Sequence, residues 1–416
     1  MHAEMDIVET EVDRLYRSQF GKMLSSLLRF SNDLDLESAE DIVQDSFSAA
    51  LVSWKKDGLP VNPAGWLFKV SRNRALNRIR EAKKFTKKDG GEIGEGSVGP
   101  EELALHDDPL EDEQLILLFA CAHPDLAPKV QVVITLKYVV NLKVEAIARI
   151  LGLTIDGVDK MLFRARQKIR DERILFVAPS AASLIPRIHS VHKVLYLIFN
   201  EGYKSSWGKE LVREELCEEA LIMTRALCRS IVGSAESRAL YALMLFNAAR
   251  IKARFGSEGE LLDLEEQDRS LWDQDLIRLA MVNLESDKGA GISSYYCEAA
   301  IAGLHCAAES LGTTDWDAII RIYKQLLRIQ ANPFVELNYA IALYYGGYNE
   351  EALGVLHGLE KLAFLGQYYL LHASLGRIYA AEGNKSLAKE YFVNTLRLTN
   401  APDEIAFVQR LIRKLE

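Results

Sequence analysis

The side chains best suited to chemistry lie in segment 154–170, where charged and amide groups recur at helical spacing. They would share the outward face of one helix or lie at its edges: Asp156, Lys160, Arg164, Arg166, Gln167, Lys168 and Arg170. Long cationic side chains reach phosphate oxygens, and guanidinium and amide groups form hydrogen bonds with base edges in the major groove. The pattern therefore predicts a helix that contacts duplex DNA.

A preceding helix must position this one, and the residues before it have the spacing of a helix-turn-helix. Ala148 would allow the two helices to approach closely, Gly152 would form the left-handed turn, and Val158 and Met161 complete the spacing. Thr154 is a good N-cap residue for the second helix. The inner stripe of that helix would be Val158, Leu162, Ala165 and Ile169. The alternative is an ordinary helical hairpin with a solvated charged face.

Two further charged segments lie nearer the N-terminus. Residues 33–45 contain six acidic residues and no base, and residues 69–88 contain nine Lys and Arg against a single Glu. Within the acidic segment an apolar stripe runs through Leu36, Ala39, Val43, Phe47, Ala50 and Trp54. An acidic helix and a basic helix in one small domain suggest two partners, a basic protein surface and a nucleic acid. Each charge run taken singly is also compatible with a solvated helix face.

Composition divides the chain. Residues 89–113 contain ten acidic residues and neither Lys nor Arg, and the Gly-rich stretch 87–100 has no apolar periodicity, so a flexible acidic linker is predicted. Leu and Ala recur at helical spacing without a sustained period-2 run, which predicts an all-α chain. We expect a first domain at 1–88, the linker at 89–110, a second domain at 111–176 and a helical C-terminal domain at 177–416.

The C-terminal domain contains a repeat-like unit. Six residues occur at the offsets of a tetratricopeptide helix pair, and Pro402 follows them: Leu375, Gly376, Tyr379, Gly383, Ala388 and Phe392. A looser copy begins 36 residues before Gly376: Ala340, Leu343, Gly347, Ala352 and Leu356. Two copies do not form a solenoid alone, so an all-α domain with one repeat-like hairpin remains the alternative.

Composition also excludes several classes of protein. The apolar fraction of 49% and charged fraction of 26% are those of a globular chain, and the net charge of −9 argues against indiscriminate polyanion binding. The N-terminus lacks a signal-peptide pattern, and the longest apolar run, 194–199, is too short for a membrane span. Five cysteines without a C-x-x-C pair favour a reducing cytoplasm. No nucleophile-base-acid set, metal-ligand cluster or phosphate-cradling glycine loop is apparent, so we expect neither an enzyme nor a bound cofactor.

Three segments carry a resemblance to a known family. They are Asp41-Ile-Val-Gln-Asp-Ser-Phe47, Trp66-Leu-Phe-Lys-Val-Ser-Arg-Asn-Arg-Ala-Leu-Asn-Arg-Ile-Arg80, and the 145–165 segment with Glu145, Leu151, Gly152, Val158 and Arg164. They resemble regions 2.2, 2.4 and 4.2 of an extracytoplasmic-function-type RNA polymerase sigma factor. The remainder resembles the C-terminal helical, tetratricopeptide-like extension of one sigma subgroup, through Leu197-Ile-Phe-Asn-Glu-Gly-Tyr203, Leu216-Cys-Glu-Glu-Ala220 and Glu265-Glu-Gln-Asp-Arg-Ser-Leu-Trp-Asp273.

The resemblance implies three binding surfaces. The acidic helix would bind the β′ clamp of core polymerase through Glu37, Asp41, Gln44 and Asp45. The 55–63 loop and the basic 64–82 helix would bind the −10 promoter element, with contacts from Lys69, Arg72, Asn73, Arg74, Asn77 and Arg78. The 154–170 helix, in the region that would meet the β flap, would bind the −35 element through Thr154, Asp156, Gly157, Lys160, Arg164, Arg166, Gln167 and Lys168. The acidic linker would mimic nucleic acid in a positively charged polymerase channel.

One position departs from the family pattern, because family members often carry Asp where Asn77 stands. The substitution would either change the −10 base preference or remove a local salt bridge.

The function implied is that of a cytoplasmic sigma factor with no membrane partner, whose C-terminal domain regulates it in cis and takes a protein or small-molecule signal. The alternative is a helix-turn-helix regulator with a tetratricopeptide-like sensor domain that acts without being a polymerase subunit. A helical scaffold that does not bind DNA is a third possibility.

Overall fold

The structure, a computed structural model, describes residues 2–31, 33–88, 112–172, 174, 176, 181–203, 214–256, 262, 264–286, 291–399 and 402–415. The regular structure of these residues is helical, which confirms the predicted all-α class. The chain forms two compact units, Met1–Gly233 and Ser234–Glu416. Within the described ranges no helix is both long enough and apolar enough to span a bilayer.

Ten α-helices form the first unit. They are α1 (His2–Phe30), α2 (Leu36–Asp57), α3 (Pro63–Lys88), α4 (Glu113–Cys121), α5 (Pro128–Tyr138), α6 (Val144–Ile150), α7 (Ile155–Asp171), α8 (Ala181–Leu184), α9 (Ile188–Tyr203) and α10 (Glu214–Arg229). The predicted linker at 89–110 lies outside the described residues.

Helices α1, α2 and α3 contact one another, and α1 also contacts α4. Asp35 caps α2 by accepting a hydrogen bond from the Ser38 backbone N–H at 2.8 Å. The whole predicted apolar stripe of α2 is buried, as the sequence pattern required. Helix α2 ends at Gly58, whose φ of 82° lies in the left-handed region that glycine adopts without strain.

Helices α6 and α7 form the predicted hairpin. Gly152 occupies the turn with a φ of 61°, and the Thr154 hydroxyl accepts a hydrogen bond from the Gly157 backbone N–H at 3.1 Å. The predicted cap is therefore confirmed. The predicted inner stripe of α7 is buried at all four positions, Val158, Leu162, Ala165 and Ile169, so the face predicted to meet DNA points away from the core of the domain.

The first unit continues past the domain boundary expected at residue 177. Helices α9 and α10 contact α4, and α9 also contacts α5. The Arg187 guanidinium donates to the Phe119 carbonyl at 2.9 Å, and Arg17 of α1 forms an ion pair with Glu215 of α10 at 3.0 Å. The chain that follows the helix-turn-helix is thus built into the first unit before the second unit begins at Ser234.

The second unit contains the remaining helices. They are α11 (Ala235–Ala248), α12 (Gln274–Glu285), α13 (Ser294–Ala307), α14 (Trp316–Ile329), α15 (Pro333–Tyr345), α16 (Asn349–Glu360), α17 (Tyr369–Ala381), α18 (Lys385–Leu398) and α19 (Pro402–Leu415).

Both repeat-like positions are helix pairs, α15 with α16 and α17 with α18. A Cβ on Gly376 would lie 2.5 Å from the Phe392 ring, so only glycine allows this close crossing. Gly347 and Gly383 form the turns with φ of 84° and 80°. The paired helices agree with the repeat pattern, while the assignment of the domain as tetratricopeptide-like remains a prediction.

Candidate nucleic-acid interface

The outward face of α7 is exposed, as predicted for a DNA-reading surface. Asp156, Lys160, Arg164, Gln167 and Lys168 are all exposed. Lys160 and Asp156 form an ion pair at 2.7 Å one turn apart, and Lys168 donates to the Asp125 carbonyl at 2.6 Å. Both cations reach solvent, where an exposed ion pair contributes little and a phosphate can compete for the ammonium group. Thr154 and Gly157 form the capped first turn.

Arg166 lies elsewhere, half-buried between the two predicted DNA-binding domains. Its Nε donates to the Tyr138 hydroxyl at 2.7 Å and its Nη2 to the Glu40 carboxylate at 3.1 Å. Lys137 forms an ion pair with the other Glu40 oxygen at 3.2 Å. Burial lowers the pKa of Arg166, but Tyr138 and Glu40 outweigh it, and the pKa lies above its usual value. Arg166 therefore links α7 to α2 through its hydrogen bond and ion pair with Glu40.

Two other contacts join the same elements. The Arg170 guanidinium lies 3.9 Å from the Asp35 carboxylate and 4.0 Å from that of Glu37. Glu37, predicted to bind polymerase, therefore faces α7, the predicted recognition helix. Because all three side chains are largely exposed, this contact is weak beside the Glu40 network and is easily exchanged for another partner.

The predicted polymerase-binding acids lie beside the predicted −10 cations. Asp41 is 3.8 Å from Arg78, and Asp45 is 3.7 Å from Arg74, all four being part exposed. Gln44 is exposed and donates to Glu40 at 3.3 Å. The fold thus brings an acidic row and a basic row together on the adjoining faces of α2 and α3, where each reduces the local field of the other.

The remaining −10 candidates form an exposed row on α3, made up of Lys69, Arg72, Asn73 and Asn77. The Arg72 guanidinium lies 4.9 Å from the centre of the Phe30 ring, a cation–π contact that orients it. Arg72 and its neighbours can therefore contact a strand that lies along α3.

Three exposed apolar residues next to these rows were not named from the sequence, although two of them lie in the 55–63 loop predicted to bind the −10 element. Phe163 on α7 is 63% exposed, and in the loop before α3 Val61 is fully exposed and Leu59 is 40% exposed. Apolar side chains in such positions contact thymine methyl groups or unstacked bases. The available signal for Phe163 was its place outside the apolar stripe of α7.

The exposed rows of α3 and α7 consist of cationic and amide side chains, which are suited to contacts with phosphates and base edges. Among the residues that the structure describes, no cluster of three or more His, Cys, Asp or Glu is placed to hold a metal ion.

Comparison with known proteins identifies two regions of the chain that contain these helices. Residues 15–85 match the family model "Sigma-70 region 2", and residues 116–169 match "Sigma-70, region 4". The first match covers α2 and nearly all of α3, and the second covers the α6–α7 hairpin. The chain therefore contains sigma-70 regions 2 and 4.

Residues 187–287 match a family of unknown function (DUF6596). The chain is 32% identical over 400 residues to the uncharacterized protein R00370 of Rhizobium meliloti (strain 1021), which covers 93% of this chain and 91% of that protein. It is 26% identical over 160 residues to the ECF RNA polymerase sigma factor SigM of Bacillus subtilis (strain 168), covering 38% of this chain and 93% of SigM. No solved structure matches the chain.

Proposed function

We propose that the chain is an RNA polymerase sigma factor of the extracytoplasmic-function type, which binds core polymerase through α2 and promoter DNA through α3 and α7. The observation that carries the proposal is an exposed acidic row beside exposed basic rows within one unit. The outward acids of α2 and the outward cations of α3 and α7 remain exposed, while the apolar stripes of α2 and α7 are buried. A duplex-binding regulator needs the cations and has no use for the acidic row.

The proposed contacts follow the exposed rows. Glu37, Asp41, Gln44 and Asp45 would bind the basic β′ clamp of the polymerase. The six exposed α3 residues predicted to contact DNA, together with Val61 and Leu59, would bind the −10 element: Lys69, Arg72, Asn73, Arg74, Asn77 and Arg78. On α7, Lys160, Arg164, Gln167 and Lys168 would contact the −35 element, joined by Phe163, near the β flap.

Arg166 would be released from Glu40 when polymerase binds α2. The Glu37 and Asp35 carboxylates lie at the N-terminal end of α2 together with Glu40, and all three are near cations of the recognition helix. A basic polymerase surface that binds this end of α2 competes with Arg166 and Arg170 for the same carboxylates. Core binding and exposure of the recognition helix would therefore be coupled.

The C-terminal region would regulate this activity in cis. Two observations support the proposal. Helices α9 and α10 belong to the first unit, where Arg187, just before α9, donates to Phe119 of α4 and Glu215 of α10 pairs with Arg17 of α1. The match to the family of unknown function, 187–287, then runs across the boundary between the two compact units at residue 233. The chain thus connects the second unit covalently to α10, and α9 and α10 contact α4.

Copurification with core polymerase tests the first proposal. We expect the full chain to bind core enzyme, and Asp41→Lys with Asp45→Lys to reduce that affinity about 100-fold, since close charge pairs at interfaces contribute several kcal/mol. Glu309→Lys, an exposed acid far along the chain, is the matched control and should bind normally. A purified chain that ignores core enzyme yet binds duplex DNA tightly would support the alternative regulator and contradict the sigma assignment.

A truncation tests regulation in cis. A chain that ends at Gly233 keeps α9 and α10, which belong to the first unit. We expect its transcription with core polymerase to differ severalfold from that of the full chain. Identical output from the two chains would remove the regulatory role.

A further inference from the structure

A cluster of buried nitrogen atoms in the second unit has no part in the sigma function. Arg250 follows α11, and Arg269 and Trp272 belong to the motif that precedes α12. The two guanidinium carbons lie 5.2 Å and 4.7 Å from the centre of the Trp272 ring. Their separation is therefore no more than the sum of those two distances.

The cluster is held rigidly. The Asp273 backbone N–H donates to the Ala249 carbonyl at 2.9 Å, which joins the motif to the end of α11. Arg269 Nη1 donates to the carbonyls of His305 and Ala308 at 2.7 Å and 2.6 Å, at the C-terminal end of α13. Trp272 is 97% buried, as its 3% exposure shows.

Four nitrogen atoms of this cluster are buried without a hydrogen-bond partner in the described part of the chain. They are Arg250 Nε, Arg269 Nη2, Trp272 Nε1 and His305 Nδ1. Leaving such an atom buried and unpaired is unfavourable, and more so when the group is charged. One orphan is common in a folded protein, but four on side chains that are linked through Arg269 require an explanation.

The positive charge of the cluster is also uncompensated. Among the described residues, no carboxylate forms an ion pair with Arg250 or Arg269. Burial lowers the pKa of Arg269, and the neighbouring Arg250 lowers it further. Burial, again with both arginines, lowers the pKa of His305 to about 4. At neutral pH, two like charges and a neutral imidazole thus share one partly desolvated site.

We propose that Arg250, Arg269, Trp272 and His305 bind a small oxyanion, a phosphate or a carboxylate. Guanidinium and indole N–H groups only donate hydrogen bonds, and a neutral imidazole donates from one nitrogen, while an oxyanion offers only acceptors. An anion would compensate the two charges and give partners to the orphaned donors, and a cation would be repelled. The site goes beyond the sigma function and stands whether or not that function is correct.

Calorimetric titration of the full chain tests the proposal. Inorganic phosphate and sodium acetate are titrated separately, at constant ionic strength set with chloride. We expect saturable binding of one anion per chain, and the tighter arm identifies phosphate or carboxylate as the ligand chemistry. Bound ligand must also raise the midpoint of thermal unfolding, because it stabilises only the folded state.

Two variants locate the site. Arg250→Gln should weaken anion binding about 10-fold or more, as expected for a lost charge-assisted hydrogen bond. Trp272→Phe keeps an aromatic ring but removes the indole N–H donor, and it should weaken anion binding less than Arg250→Gln. Arg278→Gln on α12, exposed and paired with Asp275, is the control and should bind normally.

The same titrations can overturn the proposal. Wild-type protein that binds neither anion above the chloride background contradicts it, whatever the variants do. Wild-type binding that persists unchanged in both Arg250→Gln and Trp272→Phe places the anion elsewhere and contradicts it too. If one variant fails to fold, the other and the wild-type titration still decide.

Discussion

Two arginines, one in each compact unit, have similar surroundings and opposite electrostatics. Arg166 lies 5.9 Å from the centre of the Tyr138 ring, and Arg269 lies 4.7 Å from that of Trp272. Arg166 meets the Glu40 carboxylate. Arg269 meets two backbone carbonyls and lies near Arg250 instead.

The pKa of each guanidinium reflects this difference. Burial lowers both, but Tyr138 and Glu40 raise the pKa of Arg166 above its usual value, whereas Arg250 lowers that of Arg269 further. A compensated buried cation holds two domains together and gains nothing from an anion. An uncompensated one is destabilised in the free protein and gains from an anion that binds it. The first is a structural contact and the second is a candidate binding site.

The largest expected effect on stability comes from removing the Glu40 carboxylate, which compensates the charge of Arg166. Glu40→Gln leaves Lys137 and Arg166 beside a neutral amide, and we expect a loss of about 3 kcal/mol in the stability of the first unit. Urea denaturation followed by circular dichroism measures it. Glu37→Gln, exposed and 4.0 Å from Arg170, should cost less than about 0.5 kcal/mol. Equal losses in both variants would remove the distinction between the two contacts.

Acid should destabilise the uncompensated cluster. The pKa of His305 is depressed to about 4 by burial, then by Arg250 and Arg269. The unfolded chain therefore binds more protons as pH falls from about 6.5 towards 4, and stability is lost across that window, by about 2 kcal/mol for this group. His305→Gln should flatten the pH dependence of thermal unfolding. His192 of the first unit has a similarly depressed pKa, so His192→Gln is the matched comparison.

Phosphate should affect the pH-dependent contributions of those two histidines differently. If an anion binds beside His305, saturating phosphate reduces the acid-induced loss that His305 contributes and leaves that of His192 unchanged. An equal response from both would show that phosphate acts on the whole protein and not on the cluster.

The effect on stability of removing one of the two like charges should change sign when the anion is bound. Without phosphate, Arg250→Met relieves repulsion and should stabilise the chain by about 1 kcal/mol, since apolar replacement of buried charge is often stabilising. With saturating phosphate the wild-type chain should become the more stable of the two. Thermal unfolding at both conditions measures the inversion. A variant that is less stable at both conditions would mean that Arg250 is structural.

The smallest stability effect belongs to the exposed pairs of α2 and α3. Asp41 and Arg78 are 3.8 Å apart and about half exposed, so Asp41→Asn should change stability by no more than about 0.5 kcal/mol. Its effect on core polymerase binding should be far larger. A loss of stability comparable to that of Glu40→Gln would place Asp41 in the folding of the unit and not on its binding surface.

Local features were predictable from the sequence because their causes are local. The buried stripes of α2 and α7, the Thr154 cap and the Gly152 turn depend on periodicity and on residue type within a few positions. The repeat-like glycines, Gly376 and Gly383, also have the predicted crossing and turn.

Long-range partners were not predictable. Glu40 was counted only as one of six acids, because its cations, Lys137 and Arg166, lie about a hundred residues away in the chain. Arg166 was expected on the DNA-facing side for the same reason. Helical periodicity places it at the edge of α7, and only the packing of α2 against that edge decides its direction. Nothing in the sequence indicated that Arg250 and Arg269 lie close to each other in the fold.

Run-off transcription with core polymerase on a promoter library with randomised −35 and −10 elements tests the central claim most directly. We expect transcripts only when the full chain is added, from templates that share two sequence elements at fixed spacing. Asp41→Lys with Asp45→Lys should abolish them, and Glu309→Lys should not. Failure of the wild-type chain to direct any promoter-specific transcript, while it remains folded and binds duplex DNA, would contradict the assignment as a polymerase specificity subunit.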